Sequence, residues 1–164
     1  MAAIQLLVLA GGLVGLLTRA RVVTLVGVGG VGKSRLAFEV GLRMEREFAD
    51  GMSYVLLGQV SDPALVLPRI AQGVGARESA DRSVLDALRE YLSDKNMLLL
   101  LDNFEHLLGE APWLGELLAE APDLRVLVTS REVLNLRRRV DVLWVLLREN
   151  RLWAPTPPAP AQAA

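Results

Sequence analysis

The chain contains no cysteine and one histidine, His106. Disulfides, thiolate nucleophiles and cysteine-based metal sites are therefore excluded, and a zinc site would have a single nitrogen ligand. Cysteine-free composition suits a reducing compartment, so a cytoplasmic location is expected. Aromatic residues make up 5% of the 164 positions, and Trp113, Trp144 and Trp153 stand too far apart in sequence to form a base-stacking platform. Neither sign of charge is in excess. Eighteen basic and 19 acidic residues leave a net charge of −1, which supplies no global field for nucleic acid or an anionic membrane. Arg137 to Arg139 form a short basic run that reads as a solvated patch, and no direct DNA binding is expected. Lysine is scarce: only Lys33 and Lys95 occur.

Residues 2 to 17, AAIQLLVLAGGLVGLL, carry no charge at all. A secretory signal places basic residues ahead of its apolar run, whereas Arg19 and Arg21 follow this one. A membrane span needs about 20 apolar residues, and Gly11, Gly12 and Gly15 weaken the stretch as an isolated helix. The segment is expected to pack against the rest of the chain, with no membrane as partner.

With 52% hydrophobic residues, the chain is long enough for one α/β domain with a sizeable core. RVVTLVG (21 to 27), MSYVLLG (52 to 58), NMLLLLDN (96 to 103), LRVLVTSRE (124 to 132) and VDVLWVLL (140 to 147) read as strands. Between them lie stretches of helical period: 33 to 48, a helix restarting at Pro68 and running to about Val74, one opening at a Ser83/Asp86 capping box, and 111 to 122. Asp62 and Pro63 resemble a cap followed by a first-turn proline. Strands separated by helices of this length imply βαβ units, hence a mainly parallel sheet with helices on both faces. Three segments are expected: an apolar lead over 1–20, the domain over 21–147, and a Pro/Ala-rich tail over 148–164 that is expected to be disordered, its APTPPAPAQAA end extended or disordered.

Ligands of such sheets bind beyond the carboxyl ends of the strands, and there the polar residues gather. Gly27, Val28, Gly29, Gly30, Val31, Gly32, Lys33 and Ser34 match G-x-x-x-x-G-K-[ST] between a strand and a helix. Glycines let the backbone wrap a phosphate with its N–H groups inward, and the helix N-terminus adds partial positive charge. Lys33 can reach the β- and γ-phosphates and Ser34 can ligate Mg²⁺; Arg35, next along, counts among the nucleotide-contacting positions. The apolar strand at 97 to 101 ends in Asp102, 69 residues after Lys33, where a Walker B carboxylate holds Mg²⁺ directly or through water. Thr129, Ser130 and Arg131 end the fourth strand. In the usual order of P-loop ATPases that strand lies between the P-loop and Walker B strands, which puts the three near the γ-phosphate.

GVGGVGKSRLA, LLLLDNFEHLL and VLVTSRE, with DGMSYVLLGQVSDPALVLPRIAQGVG (50 to 75), together resemble the nucleotide-binding domain of STAND-class signalling ATPases, the NB-ARC-like group of large bacterial transcriptional regulators. The resemblance runs from about Arg21 to Arg137. It implies a three-layer P-loop NTPase sandwich with strand order 5-1-4-3-2, ATP and ADP as ligands with Mg²⁺, and slow hydrolysis. It also implies a switch in which nucleotide state governs self-association and contacts with other domains or proteins. By the same resemblance Lys33 and Ser34 hold phosphate and metal, Asp102 holds the metal, and Arg131 senses the γ-phosphate.

The sequence departs from that pattern in places. Where many members carry a second acidic residue after the Walker B aspartate, this chain has Asn103, and Glu105 is the candidate substitute that would activate water. His106, within DNFEH, is read as helix-positioning or signalling rather than proton-transferring. The small helical and winged-helix domains that close over the nucleotide in the family do not follow, so a fragment, or a gene product whose ends are not the family's, is expected. Two alternatives stand beside the signalling reading: a truncated P-loop domain with little nucleotide binding alone, and a P-loop kinase with Arg137 to Arg139 as its lid. GTP is disfavoured, since position 105 is Glu rather than the Gly of Asp-x-x-Gly and Lys95 is followed by Asn96 and Met97.

Overall fold

The computed structural model describes residues 3–77, 81–104, 112–133, 142–149 and 151–153. Its elements, in chain order, are α1 (Ala3–Leu17), β1 (Val22–Val26), α2 (Lys33–Met44), β2 (Met52–Leu56), α3 (Val66–Val74), α4 (Val84–Leu92), β3 (Leu98–Asp102), α5 (Pro112–Glu120), β4 (Arg125–Ser130), β5 (Val142–Arg148) and β6 (Arg151–Trp153). The strands form one sheet in the order β2-β3-β4-β1-β5-β6. All pairings are parallel except β5 with β6. Read from the other edge, this is the expected 5-1-4-3-2 order with a sixth, antiparallel strand added outside β5.

The apolar strands follow from burial on both faces. Leu98 and Leu100 turn one way, onto α1 and α2, in a cluster with Val23, Leu25, Leu127 and Val145. Leu99 and Leu101 turn the other way, onto α3, α4 and α5, with Val126, Val128, Ile70, Leu88 and Leu117. Each such side chain contributes about 1.5–3 kcal/mol on full burial, so β3 with its continuous leucines anchors both layers.

α1 is part of this packing. Leu6, Leu9, Ala10, Leu13 and Leu17 form its buried stripe, against α2 and the sheet. The three glycines cost about 1 kcal/mol each in a helix interior, and burial of four leucines at the figure above outweighs that. Gly12 passes β6 so closely that a Cβ there would lie 3.3 Å from Leu152 Cδ1. Among the described residues no helix is long and apolar enough to cross a membrane.

Caps account for the helix starts. Asp62 Oδ1 accepts from Ala64 N at 2.9 Å and opens a 3₁₀ turn over Pro63–Leu65. α3 follows at Val66, two residues before the expected restart at Pro68. A proline in the first turn gives up an N–H that has no intrahelical acceptor in any case, so the helix runs through it. Ser83 caps α4 by accepting from Asp86 N at 3.1 Å, one half of the expected capping box, and its hydroxyl donates to the Asp86 carboxylate at 2.6 Å.

Two further expectations change. β6 lies within the segment expected to be a disordered tail: Leu152 pairs with Leu147, which ties 151–153 to the sheet. Trp144 and Trp153, distant in sequence, meet edge to face across that hairpin with ring centroids 6.3 Å apart. The stretch after residue 153, and with it APTPPAPAQAA, lies outside the described residues.

Candidate functional site

The glycine loop sits at the C-terminal end of β1, the third of three parallel strands, β3, β4 and β1, that bring their carboxyl ends to one edge. Its path requires glycine at two positions: Gly30 has φ 78° and Gly32 φ 96°, both in the left-handed region. Gly27 is required for another reason, since a Cβ there would lie 2.7 Å from the Leu147 carbonyl of β5. Gly32 also starts α2. No acidic residue occupies the first turn of that helix, so none of its own carboxylates offsets the positive dipole end that faces the loop. Lys33 is 7% exposed, and its Nζ donates to the carbonyls of Gly27 at 2.8 Å and Val28 at 3.0 Å. The ammonium is therefore held inside the concave side of its own loop.

Asp102, 2% exposed at the end of β3, gathers the neighbouring hydroxyls. Strand parity puts it on the α2 face, in line with Leu98 and Leu100. Ser34 Oγ, in the first turn of α2, donates to Asp102 Oδ1 at 2.8 Å. Thr129 Oγ1, from β4, donates to the same oxygen. Tyr54 on β2 donates its hydroxyl to Oδ2 at 2.8 Å. Burial first, then the hydrogen bond to Asp102 and its negative charge, push the Tyr54 phenol well above its ordinary range.

A cavity of about 350 Å³ lies over this arrangement, lined by Gly29, Gly30, Gly32, Lys33, Ser34, Arg35, Asn103 and Arg131. Glycine-loop residues with Lys33, Ser34 and Arg35, and Arg131 from beyond β4, thus meet in one concavity, and Asp102 lies behind it, joined to its lining through Ser34. Arg131 reaches it from the end of β4, with its Nη2 only 3.4 Å from where a Gly29 Cβ would be. Asn103 has φ 61° and donates its N–H to Thr129 Oγ1 at 3.0 Å. Its side chain turns toward Gly58, whose absent Cβ would lie 2.8 Å from Asn103 Nδ2.

A larger cleft, of about 650 Å³, lies between α1 and the end of α2, with Asn96 and Arg125 in its wall. Those residues mark the N-terminal edge of the sheet, opposite the glycine loop. Size does not single out the candidate site here: sequence-predicted site residues line the smaller cavity, and none of them lines the larger.

The residues present suit a magnesium ion. Mg²⁺ takes hard oxygen donors and is typically held by one or two carboxylates with the substrate's phosphates and water. Ser34 Oγ and the Asp102 carboxylate supply such oxygens within 2.8 Å of each other beside the glycine cradle. Among the described residues there is no cluster of three or more His, Cys, Asp or Glu, the arrangement an all-protein metal cage requires.

Of the Thr129, Ser130 and Arg131 group, Arg131 lines the cavity, the Thr129 hydroxyl donates to Asp102, and Ser130 Oγ accepts from Glu132 N at 3.1 Å in the turn after β4. Tyr54 was not singled out from sequence. Glu105, His106 and Arg137 to Arg139 lie outside the described residues.

The family model for the NB-ARC domain matches residues 10–140. A protein of Mycobacterium tuberculosis named as an HTH-type transcriptional regulator is 40% identical over 122 residues, covering 74% of this chain and 14% of its own length. Regulatory protein AfsR of Streptomyces griseus is 35% identical over 113 residues, covering 64% of this chain and 11% of its own. The chain thus spans about a seventh or less of the length of these relatives. Among solved structures, Cdc6p from Pyrobaculum aerophilum superposes with a TM-score of 0.55 at 19% identity, over 78% of this chain and 37% of that one. A signal transduction ATPase with numerous domains from Pyrococcus horikoshii, bearing a tetratricopeptide repeat sensor, gives 0.52 at 18% identity, over 84% and 22%.

Proposed function

This chain belongs to the NB-ARC domain family, and we propose that it binds ATP and ADP with Mg²⁺ as the nucleotide-switched module of a larger regulator. The observation that carries the reading is the joining of Ser34 to Asp102 at the mouth of a glycine cradle that holds Lys33. Regulator relatives and a STAND ATPase of like fold support the same direction.

Bound Mg²⁺ supplies charge neutralisation on the β- and γ-phosphates. The chain's own part is orientation and charge. Loop N–H groups receive phosphate oxygens, Gly27 and Val31 excepted because their N–H groups donate to the carbonyls of Ser130 and Val28, and Lys33 exchanges its two carbonyl partners for phosphate. Ser34 and Asp102 hold the metal, and Arg131 meets the terminal phosphate at the rim of the cavity. Arg35 borders the same space.

Hydrolysis in this reading is slow. The residue after Asp102 is an amide, Asn103, which cannot take a proton from water. A slow clock suits a switch, because ATP and ADP then each persist long enough to favour different conformations and different partners, including other copies of the chain or other domains. DNA contact is assigned to other parts of the larger protein, since nothing in the charge of this chain provides for it. Calorimetric titration with ATP, ADP and GTP in Mg²⁺ tests the reading. Saturable, adenine-selective binding supports it; a folded chain that binds none of the three overturns it.

A further inference from the structure

Three donors fix the Asp102 carboxylate, and one of them comes from the edge of the sheet. Ser34 and Thr129 both serve Oδ1, whereas Oδ2 receives the Tyr54 hydroxyl at 2.8 Å. Tyr54 belongs to β2, the edge strand, and its register partner on β3 is Leu100, two residues before Asp102. Same-face residues of adjacent strands offset by two lie about 7–8 Å apart, a span that a tyrosine crosses with its ring while leucine and valine do not. The ring is braced from above: Phe38 of α2 meets it edge to face, with centroids 5.6 Å apart.

From this geometry we infer that Tyr54 is a positioning residue for the metal, locking the Asp102 carboxylate so that Oδ1 stays turned to Ser34. A carboxylate on a strand end rotates about its side-chain bonds. With donors on Oδ1 alone, rotation carries the second oxygen away from the site; a phenol on Oδ2 fixes the plane. The phenol suits the task because its hydroxyl is a donor and the carboxylate oxygen an acceptor. Partners that orient metal-holding carboxylates typically govern metal affinity by about 10–100-fold. The inference rests on the nucleotide reading for its function, while the hydrogen bond itself does not.

The test has two parts. In the first, ATP affinity of the full chain is measured in EDTA and across a Mg²⁺ titration. Tyr54→Phe is expected to raise the Mg²⁺ midpoint about tenfold and leave the EDTA affinity unchanged. Phe38→Leu, which removes the brace but keeps the hydroxyl, is expected to leave the midpoint within about twofold. An unshifted midpoint in Tyr54→Phe, or an equal shift in Phe38→Leu, overturns the inference. In the second part no nucleotide is present. A double-mutant cycle in urea is expected to show Tyr54→Phe lowering the unfolding midpoint of the parent chain but not of Asp102→Ala. Additive effects overturn the lock. Coupled effects in a parent chain that binds no ATP uphold the bond and overturn the nucleotide reading instead.

Discussion

Ser34 and Asp102, 68 residues apart in the chain, are joined by a 2.8 Å hydrogen bond from Ser34 Oγ to Asp102 Oδ1. The bond couples the first turn of α2 to the end of β3 at the point where the glycine loop enters α2. It brings together two oxygen donors of the kind Mg²⁺ requires, and removing either tests that assignment.

Ser34→Ala deletes one donor and leaves the fold, since Asp102 keeps Thr129 and Tyr54. The expected outcome is a Mg²⁺ midpoint for ATP binding raised by about tenfold, with affinity in EDTA little changed. Unfolding by urea is expected to shift by about 1 kcal/mol at most. Fluorescent-nucleotide titration across a range of Mg²⁺ concentrations reads the first, and equilibrium denaturation the second.

Asn103→Asp places an acid next to Asp102 without changing side-chain size. Aspartate tolerates the left-handed φ of 61° found at this position. Steady-state phosphate release is expected to rise by about tenfold, a part of what a positioned general base contributes. If release stays at the parental rate, the missing carboxylate is not what limits turnover.

Gly27→Ala sets a methyl group 2.7 Å from the Leu147 carbonyl, a backbone atom that cannot swing away. The loop and β5 must then separate, at a cost of about 1–3 kcal/mol in stability. Gly30→Ala meets no atom within 4 Å but is forced to hold φ 78°; its cost is about 1 kcal/mol, from backbone strain alone. Urea midpoints of the two variants, compared side by side, separate crowding from strain: the first is expected to fall further than the second.

Local signals made much of this architecture readable in advance. Leu98 to Leu101 announced a strand buried on both faces, Ser83 and Asp86 announced the start of α4, and glycine spacing around Lys33 announced the loop. These features depend on residues a few positions apart. β6 escaped because Arg151–Trp153 is too short to show alternation and is made a strand by its partner β5. α3 began earlier than Pro68 because a first-turn proline marks the inside of a helix start rather than its boundary. Tyr54 escaped for a deeper reason. A tyrosine in an apolar strand reads as core, and its bond to Asp102 depends on the β2–β3 register, which no local pattern encodes. Thr129 was found, but its donor role toward Asp102 needed the same kind of cross-strand information.

The central claim is that the loop from Gly27 to Ser34 is a phosphate cradle with Lys33 as its cation. ATP titration of the parent chain and Lys33→Ala, with both shown to be folded by circular dichroism, tests it most directly. Charge-assisted hydrogen bonds contribute about 1.5–3 kcal/mol each, so the account predicts saturable ATP binding by the parent and a loss of about a hundredfold in the variant. Equal affinity in the two chains would contradict it.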